Sequence, residues 1–131
     1  MSRSSNMARI RGKDTKPELE VRRRLWAAGF RYRLHVKLLP GSPDLVFPGR
    51  NTVIFVHGCF WHCHEGCKNF RLPKTRADWW AEKLARNKAR DEDVQRQLEA
   101  AGWKVIVIWE CEVENRTWFA FTISTLRQAL S

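Results

Sequence analysis

Between His57 and Cys67, eleven residues hold three of the four histidines (His57, His62, His64) and three of the four cysteines (Cys59, Cys63, Cys67). Imidazoles exchange protons near neutral pH, and together with thiolates they bind zinc. Packing alone does not call for so many such groups in so short a stretch. Two aromatics, Phe60 and Trp61, sit in its middle, and an apolar run, Val53-Ile-Phe-Val56, leads into it. Upstream, Pro43-Asp44 places an acid where a short strand should begin. A carboxylate at the open end of a strand can hold a hard cation such as Mg²⁺. A phosphodiester hydrolase needs that cation, an attacking water and a group to take the water's proton. Histidine can supply the last.

The elements that must position these groups follow from local pattern. Thr15-Lys-Pro-Glu18 reads as a capping box opening a helix to about Ala28, with Gly29 as its stop. Residues 30–35 alternate apolar and polar, as in a strand. Asp44–Phe47 and Thr52–His57 should pair as a hairpin about the turn Pro48–Asn51. The continuous apolar run 53–56 suggests a strand buried on both faces. Gly58–Lys74 is a long loop that a metal ion could stabilise. Thr75 can cap a helix running to about Ala101, whose Trp80, Leu84, Asn87 and Asp91 share one stripe. That stripe ends on an acid that needs water, a cation or a hydrogen-bond partner, and Asp91 could orient a histidine. Trp103–Trp109 is a further buried strand with Cys111 just beyond it, and residues 117–130 form a last amphipathic helix. The order predicts an α/β fold, a central mixed sheet flanked by helices.

A chain of 131 residues, 44% hydrophobic, is expected to be one domain with a real core. The expected division is a basic arm over 1–14 and a single domain over 15–131. The net charge is +10, and residues 1–50 carry 12 Lys/Arg against 4 Asp/Glu, a balance of +8. Such asymmetry points to a polyanion, most simply nucleic acid, and seven Trp suit base stacking. No apolar run approaches the ~18 residues of a membrane span, and the basic start lacks the apolar centre of a secretory signal. The expected location is cytoplasmic, in a bacterial-type cell and associated with the nucleoid. Four cysteines there argue for metal binding or catalysis over disulfides.

In nucleases of the PD-(D/E)xK type, a Pro-Asp is followed across a hairpin by an acid and a lysine. Here the partner tripeptide reads Phe55-Val-His57, so Phe55 replaces the acid and His57 the lysine. This departure, with the string His57-Gly-Cys-Phe-Trp-His62 and the distant Trp109-Glu-Cys111, closely resembles the very short patch repair endonucleases. Matching pieces run along almost the whole chain, among them Ser5-Asn-Met7, Leu39-Pro-Gly41, Thr75-Arg76, Asn87 and Arg90-Asp91. The resemblance implies a restriction-endonuclease-like fold with a zinc-pinned loop, catalytic Mg²⁺ and structural Zn²⁺. The implied activity is a nick in duplex DNA 5′ to the thymine of a T:G mismatch, the lesion left by deaminated 5-methylcytosine. Carried over residue by residue, Asp44 is the direct magnesium ligand, helped by the Val56 carbonyl. Glu18 and His57 stand near the metal-bound waters and the scissile phosphate. His62 is the general base, and Asp91 completes the set.

For zinc, the resemblance carries over Cys59, His64 and Cys111. The family's remaining cysteine falls on Gly66, with Cys67 one residue later. Cys59, His64, Cys67 and Cys111 are the first choice, with Cys63 as competitor to His64. The resemblance also makes Phe60, Trp61 and Trp80 wedges inserted beside the mismatch, with Met7 and the arm along a groove. Unstacking is least costly at a mismatch. Trp79 competes with Trp80, and either could simply pack helix to sheet. The implied partner is duplex DNA bearing T:G, met by a monomer. Two alternatives stay open: a related nuclease with another mismatch, modified base or plain duplex as target, and a zinc-stabilised DNA-binding module without catalysis.

Overall fold

The computed structural model describes residues 15–129. The expected arm over 1–14, and Met7 with it, lie outside the described residues. Helix α1 spans Lys16–Ala27. Thr15 Oγ1 accepts from the Glu18 amide at 3.4 Å, and Pro17 occupies the first turn, where its missing N–H is harmless. Val21 and Leu25, one turn apart, are fully buried. The Gly29 and Phe30 amides return to the carbonyls of Trp26 and Leu25, closing the helix where Gly29 takes φ 95°.

One sheet follows, in spatial order β1 (Arg33–Leu34), β2 (Leu45–Phe47), β3 (Thr52–His57) and β4 (Lys104–Trp109). The first two pairings are antiparallel and β3–β4 is parallel, so the expected mixed sheet is present. The antiparallel β2–β3 pair needs only a single 3-10 turn, Pro48–Arg50, and Asn51 in the left-handed region. The parallel pair needs a crossover. Helix α2 (Ala77–Ala100) provides it, and α3 (Glu110–Asn115) and α4 (Phe119–Gln128) end the described chain.

Residue alternation divides the core. On one face Leu45, Phe47, Ile54, Ile106 and Ile108 pack under α1 and α4, against Val21, Leu25, Ile123 and Leu126. On the other, Val46, Val53 and Phe55 pack under α2 through Leu98 and Val94. Both faces of β3 are therefore covered, which accounts for its unbroken apolar run. Truncating the fully buried Leu98 to Ala should destabilise the fold by ~2–5 kcal/mol.

Three local expectations need correction. The strand over 30–35 shrinks to Arg33–Leu34. It is an edge strand with one partner, and the chain leaves the sheet at His35, φ 49°. Thr75 is not the cap of α2. Arg76 holds that position at φ 56° without a side-chain bond, and Asp78 in the first turn complements the helix dipole instead. After β4 a short helix, α3, intervenes before the last helix begins at Phe119. The Trp109 amide donates to Glu112 Oε1 at 2.9 Å, which starts α3 and sets Cys111 in its first turn.

Candidate active site

The hairpin brings Asp44, at the entry of β2, beside the end of β3. Asp44 Oδ2 accepts the Val56 amide at 2.7 Å, which fixes the carboxylate against the strand. Around it opens a cavity of about 460 Å³ lined by Glu18, Asp44, Val56, His57, His62 and Asp91, among others. The five residues expected to be catalytic thus meet in one place, from α1, β2, β3, the following loop and α2. Gly41 lets the 36–43 loop close on α2: a Cβ there would stand 2.5 Å from Val94 Cγ1, and its φ is 72°.

Electrostatics separate the roles. Burial pushes the Asp44 carboxyl up to about 6, and the nearby Glu18 charge adds to this against the Val56 hydrogen bond. A cation would reverse that bias. His57 is pushed down to about 3, first by burial and then by His62. It is therefore neutral at physiological pH and does not restore the positive charge of the lysine it replaces. Lys37 and Arg90, which also line the cavity, are the cations at hand. The His62 ring stacks on His57 with centroids 3.8 Å apart and planes within 5°. His62 Nδ1 lies 2.5 Å from Asp91 Oδ2. A carboxylate on Nδ1 fixes the ring and leaves Nε2 as the basic nitrogen. The stripe on α2 is explained in the same way: Leu84 is buried, Asn87 Nδ2 donates to the Trp61 carbonyl at 3.2 Å, and Asp91 meets His62.

The loop after β3 is a chain of tight turns. The His62 amide donates to the Gly58 carbonyl, His64 to Cys59, Cys67 to His64 and Phe70 to Cys67. Within these turns His57 and His62 fall in one group with Asp91, and Cys59, His64 and Cys67 in another with Cys111. Cys59, His64, Cys67 and Cys111 offer four ligand atoms within 4.8 Å of one another. A tetrahedral zinc with ~2.3 Å bonds to sulfur holds its sulfurs roughly 3.8 Å apart, so this donor set and spacing fit the ion. Cys63 turns away, at φ 58°, toward Glu65, with Sγ 3.9 Å from Oε1. The His64 ring stacks on Trp109 at 4.0 Å. Burial and the neighbouring thiols push Cys59 up to about 12, so only a metal would take its proton near neutral pH.

Phe60, Trp61 and Trp80 form a half-buried aromatic cluster with centroids 5.1–5.8 Å apart. Trp79 packs edge-on against Trp80 with centroids 4.9 Å apart; it is 42% exposed, with Arg76 and Lys83 over its ring at 4.7 and 5.8 Å.

One histidine was missed. His35 presents Nε2 at 2.9 Å from Glu18 Oε2 and Nδ1 at 3.7 Å from Asp44 Oδ1. The signal was the hairpin register: Leu34 faces Leu45, so the next residue faces Asp44. Lys37 and Arg90 were also overlooked as cavity residues, and only the fold brings them there.

A mixed sheet with an acid and a histidine at the mouth of one hairpin, opening on a cavity that carboxylates and histidines line, is consistent with a restriction-endonuclease-like nuclease. The profile of the family "DNA mismatch endonuclease Vsr" matches residues 1–69. The type II nicking enzyme V.XorIIP of Xanthomonas oryzae pv. oryzae is 51% identical, over 83% of this chain and 79% of that protein. The type II nicking enzyme V.NmeAIP of Neisseria meningitidis is 46% identical, over 87% of this chain and 81% of the relative. The DNA mismatch endonuclease Vsr of Escherichia coli K12 is 40% identical, over 88% and 73% respectively. The chain belongs to the DNA mismatch endonuclease Vsr family and is a DNA endonuclease. Among the described residues no helix is long and apolar enough to cross a membrane.

Proposed function

We propose that this endonuclease nicks duplex DNA 5′ to the thymine of a T:G mismatch. The observation that carries the reading is the His62–Asp91 pair, 2.5 Å apart and stacked on His57, facing the same cavity as Asp44. In this arrangement His62 takes the proton of the attacking water through Nε2 while Asp91 offsets the charge that develops on the ring. Neutral His57 contributes hydrogen bonding and stacking. Glu18 and His57 stand beside the scissile phosphate and the waters around it. Asp44, with the Val56 carbonyl, would hold Mg²⁺, which when bound offsets negative charge on the phosphate in the transition state. Arg90 and Lys37 add positive charge at the cavity wall. Cys59, His64, Cys67 and Cys111 would hold Zn²⁺, fastening the loop to α3. Phe60, Trp61 and Trp80 then enter the stack at the mismatch, with Met7 and the arm over 1–14 along the groove. Residues 15–131 act as one domain and the protein as a monomer, in the cytoplasm with the nucleoid.

The test uses labelled duplexes carrying T:G, T:A, C:G or another mismatch, each incubated with protein and Mg²⁺. Nicking confined to T:G, and mapped 5′ to its thymine, is expected. Comparable cutting of matched or differently mismatched DNA would point to a related nuclease with another target. Binding without any cutting would leave a DNA-binding module.

A further inference from the structure

We propose that His35 is a nitrogen ligand of the divalent cation at Asp44, with Glu18 orienting its ring, so that the site favours a transition-metal ion such as Mn²⁺ over Mg²⁺. This rests on the reading of Asp44 as the cation's carboxylate, and it adds a donor of a different kind.

The backbone aims His35 at the site. Its amide donates to the Asp44 carbonyl at 3.2 Å, the last link of the β1–β2 pairing. It then takes φ 49°, an uncommon conformation for a residue with a side chain and one that tends to persist where surrounding structure demands it. The imidazole lies between two carboxylates, with its side chain 16% exposed and that of Glu18 only 2%. Asp44 divides its oxygens: Oδ2 is taken by the Val56 amide, while Oδ1 is on the side of His35 Nδ1. One ion with bonds of ~2.1 Å could bridge Oδ1 and Nδ1, which are 3.7 Å apart. Glu18 Oε2 lies 2.9 Å from the far ring nitrogen, a close ion-pair contact that lacks hydrogen-bond geometry, so a small turn of the ring would complete the bond. A carboxylate on one nitrogen and a metal on the other is the common arrangement of metal-bound histidine, since the carboxylate fixes tautomer and ring plane. Glu18, His35 and Asp44 together bring three ligand atoms within 4.8 Å of one another.

The donor set then sets the preference. Mg²⁺ favours a shell of oxygens and keeps its waters, whereas imidazole nitrogen suits transition metals. Arg22 Nη1 lies 3.4 Å from Glu18 Oε2, the same oxygen that approaches His35, and its charge helps hold that carboxylate in place.

The test measures metal binding by the full chain, loaded with zinc beforehand and free of DNA. Mn²⁺ is titrated by electron paramagnetic resonance, and Mg²⁺ by its competition with Mn²⁺. Wild-type protein should show imidazole ¹⁴N modulation of the bound Mn²⁺ spin echo. His35→Gln should remove that modulation and lower Mn²⁺ affinity by ~10–100-fold, with Mg²⁺ affinity reduced by less than about threefold. Three results would overturn the proposal: no ¹⁴N modulation in the wild type, its persistence in His35→Gln, or equal losses for both ions. The first needs no variant to fold. Asp44→Asn separates the two readings. It should abolish binding of both ions, and if it does not, the placement of the cation at Asp44 fails along with the role of His35.

Discussion

The stretch 57–67 serves two sites that differ in nearly every physical respect. One is closed: Cys59, His64, Cys67 and Cys111 bring four donors, three of them sulfur, within 4.8 Å. The other is open: His57 and His62 line a cavity of about 460 Å³ with Glu18, Asp44 and Asp91. Three thiolates and one imidazole would complete a zinc shell and leave no position for a substrate, whereas hard oxygens and a few nitrogens leave room for water and phosphate. The two sets are interleaved along one backbone, His57 and His62 in the open site and Cys59, His64 and Cys67 in the closed one. The closed cluster can therefore hold the loop in shape while the open one does chemistry, and a change in either should be legible as stability or as rate.

The largest separation is expected from Asp44→Asn. Loss of the cation's carboxylate should lower the nicking rate by roughly 10³-fold or more, with the melting temperature and binding to mismatched duplex nearly unchanged. Single-turnover kinetics and gel shifts measure both, and a matching loss of binding would contradict the catalytic role. Cys111→Ser is the counterpart at the closed cluster. It should reduce bound zinc and lower the melting temperature by about 10 °C, as read by elemental analysis and thermal melting. Unchanged zinc stoichiometry would refute that site.

Smaller effects sharpen the contrast. His62→Ala should slow cleavage by ~10²–10³-fold with zinc retained, and Asp91→Asn by a lesser factor, since it acts through His62. The open site should also respond to pH through Asp44, whose carboxyl is held at about 6. The raised value means the proton is retained below pH 6, where it competes with the cation. Titration calorimetry should therefore find Mg²⁺ affinity flat above about pH 6 and falling roughly tenfold per pH unit below it. Without metal the sign reverses for stability: the advantage of the protonated form is present at low pH and lost as pH rises from 3.8 through about 6. The smallest effect belongs to Cys63→Ser. Its thiol faces Glu65 outside the four-donor cluster, so zinc content should hold and the melting temperature should move by no more than about 2 °C. Loss of zinc in that variant would make Cys63 the ligand in place of His64.

Much of the fold was legible because periodicity and turn residues mark local structure directly. The capped α1, the 45–57 hairpin, the doubly covered β3 and the long α2 all follow from such patterns. What failed was edge and end behaviour. The alternation over 30–35 could not show that β1 is an edge strand that stops at Leu34. Thr75 had a cap's chemistry, but Arg76 took the position. Nothing in Glu110-Cys-Glu112 announced α3, whose start depends on Glu112 reaching back to the Trp109 amide. The sequence offers Glu18 both a cap's role and a site's, and its side chain is at His35.

The sequence by itself determined the inventory: an acid after Pro43, a histidine where a nuclease lysine is usual, four cysteines with one far downstream, and aromatics between them. Residue type and short-range spacing suffice for that, because they fix which atoms can donate, ligate or titrate. Only the tertiary structure decided who meets whom. It set Asp91 on His62 across 29 positions, brought Cys111 to Cys59 and Cys67, turned Cys63 away and put His35 between two carboxylates. Those pairings depend on strand register and on where α2 and α3 start, and these are settled by packing both faces of one sheet.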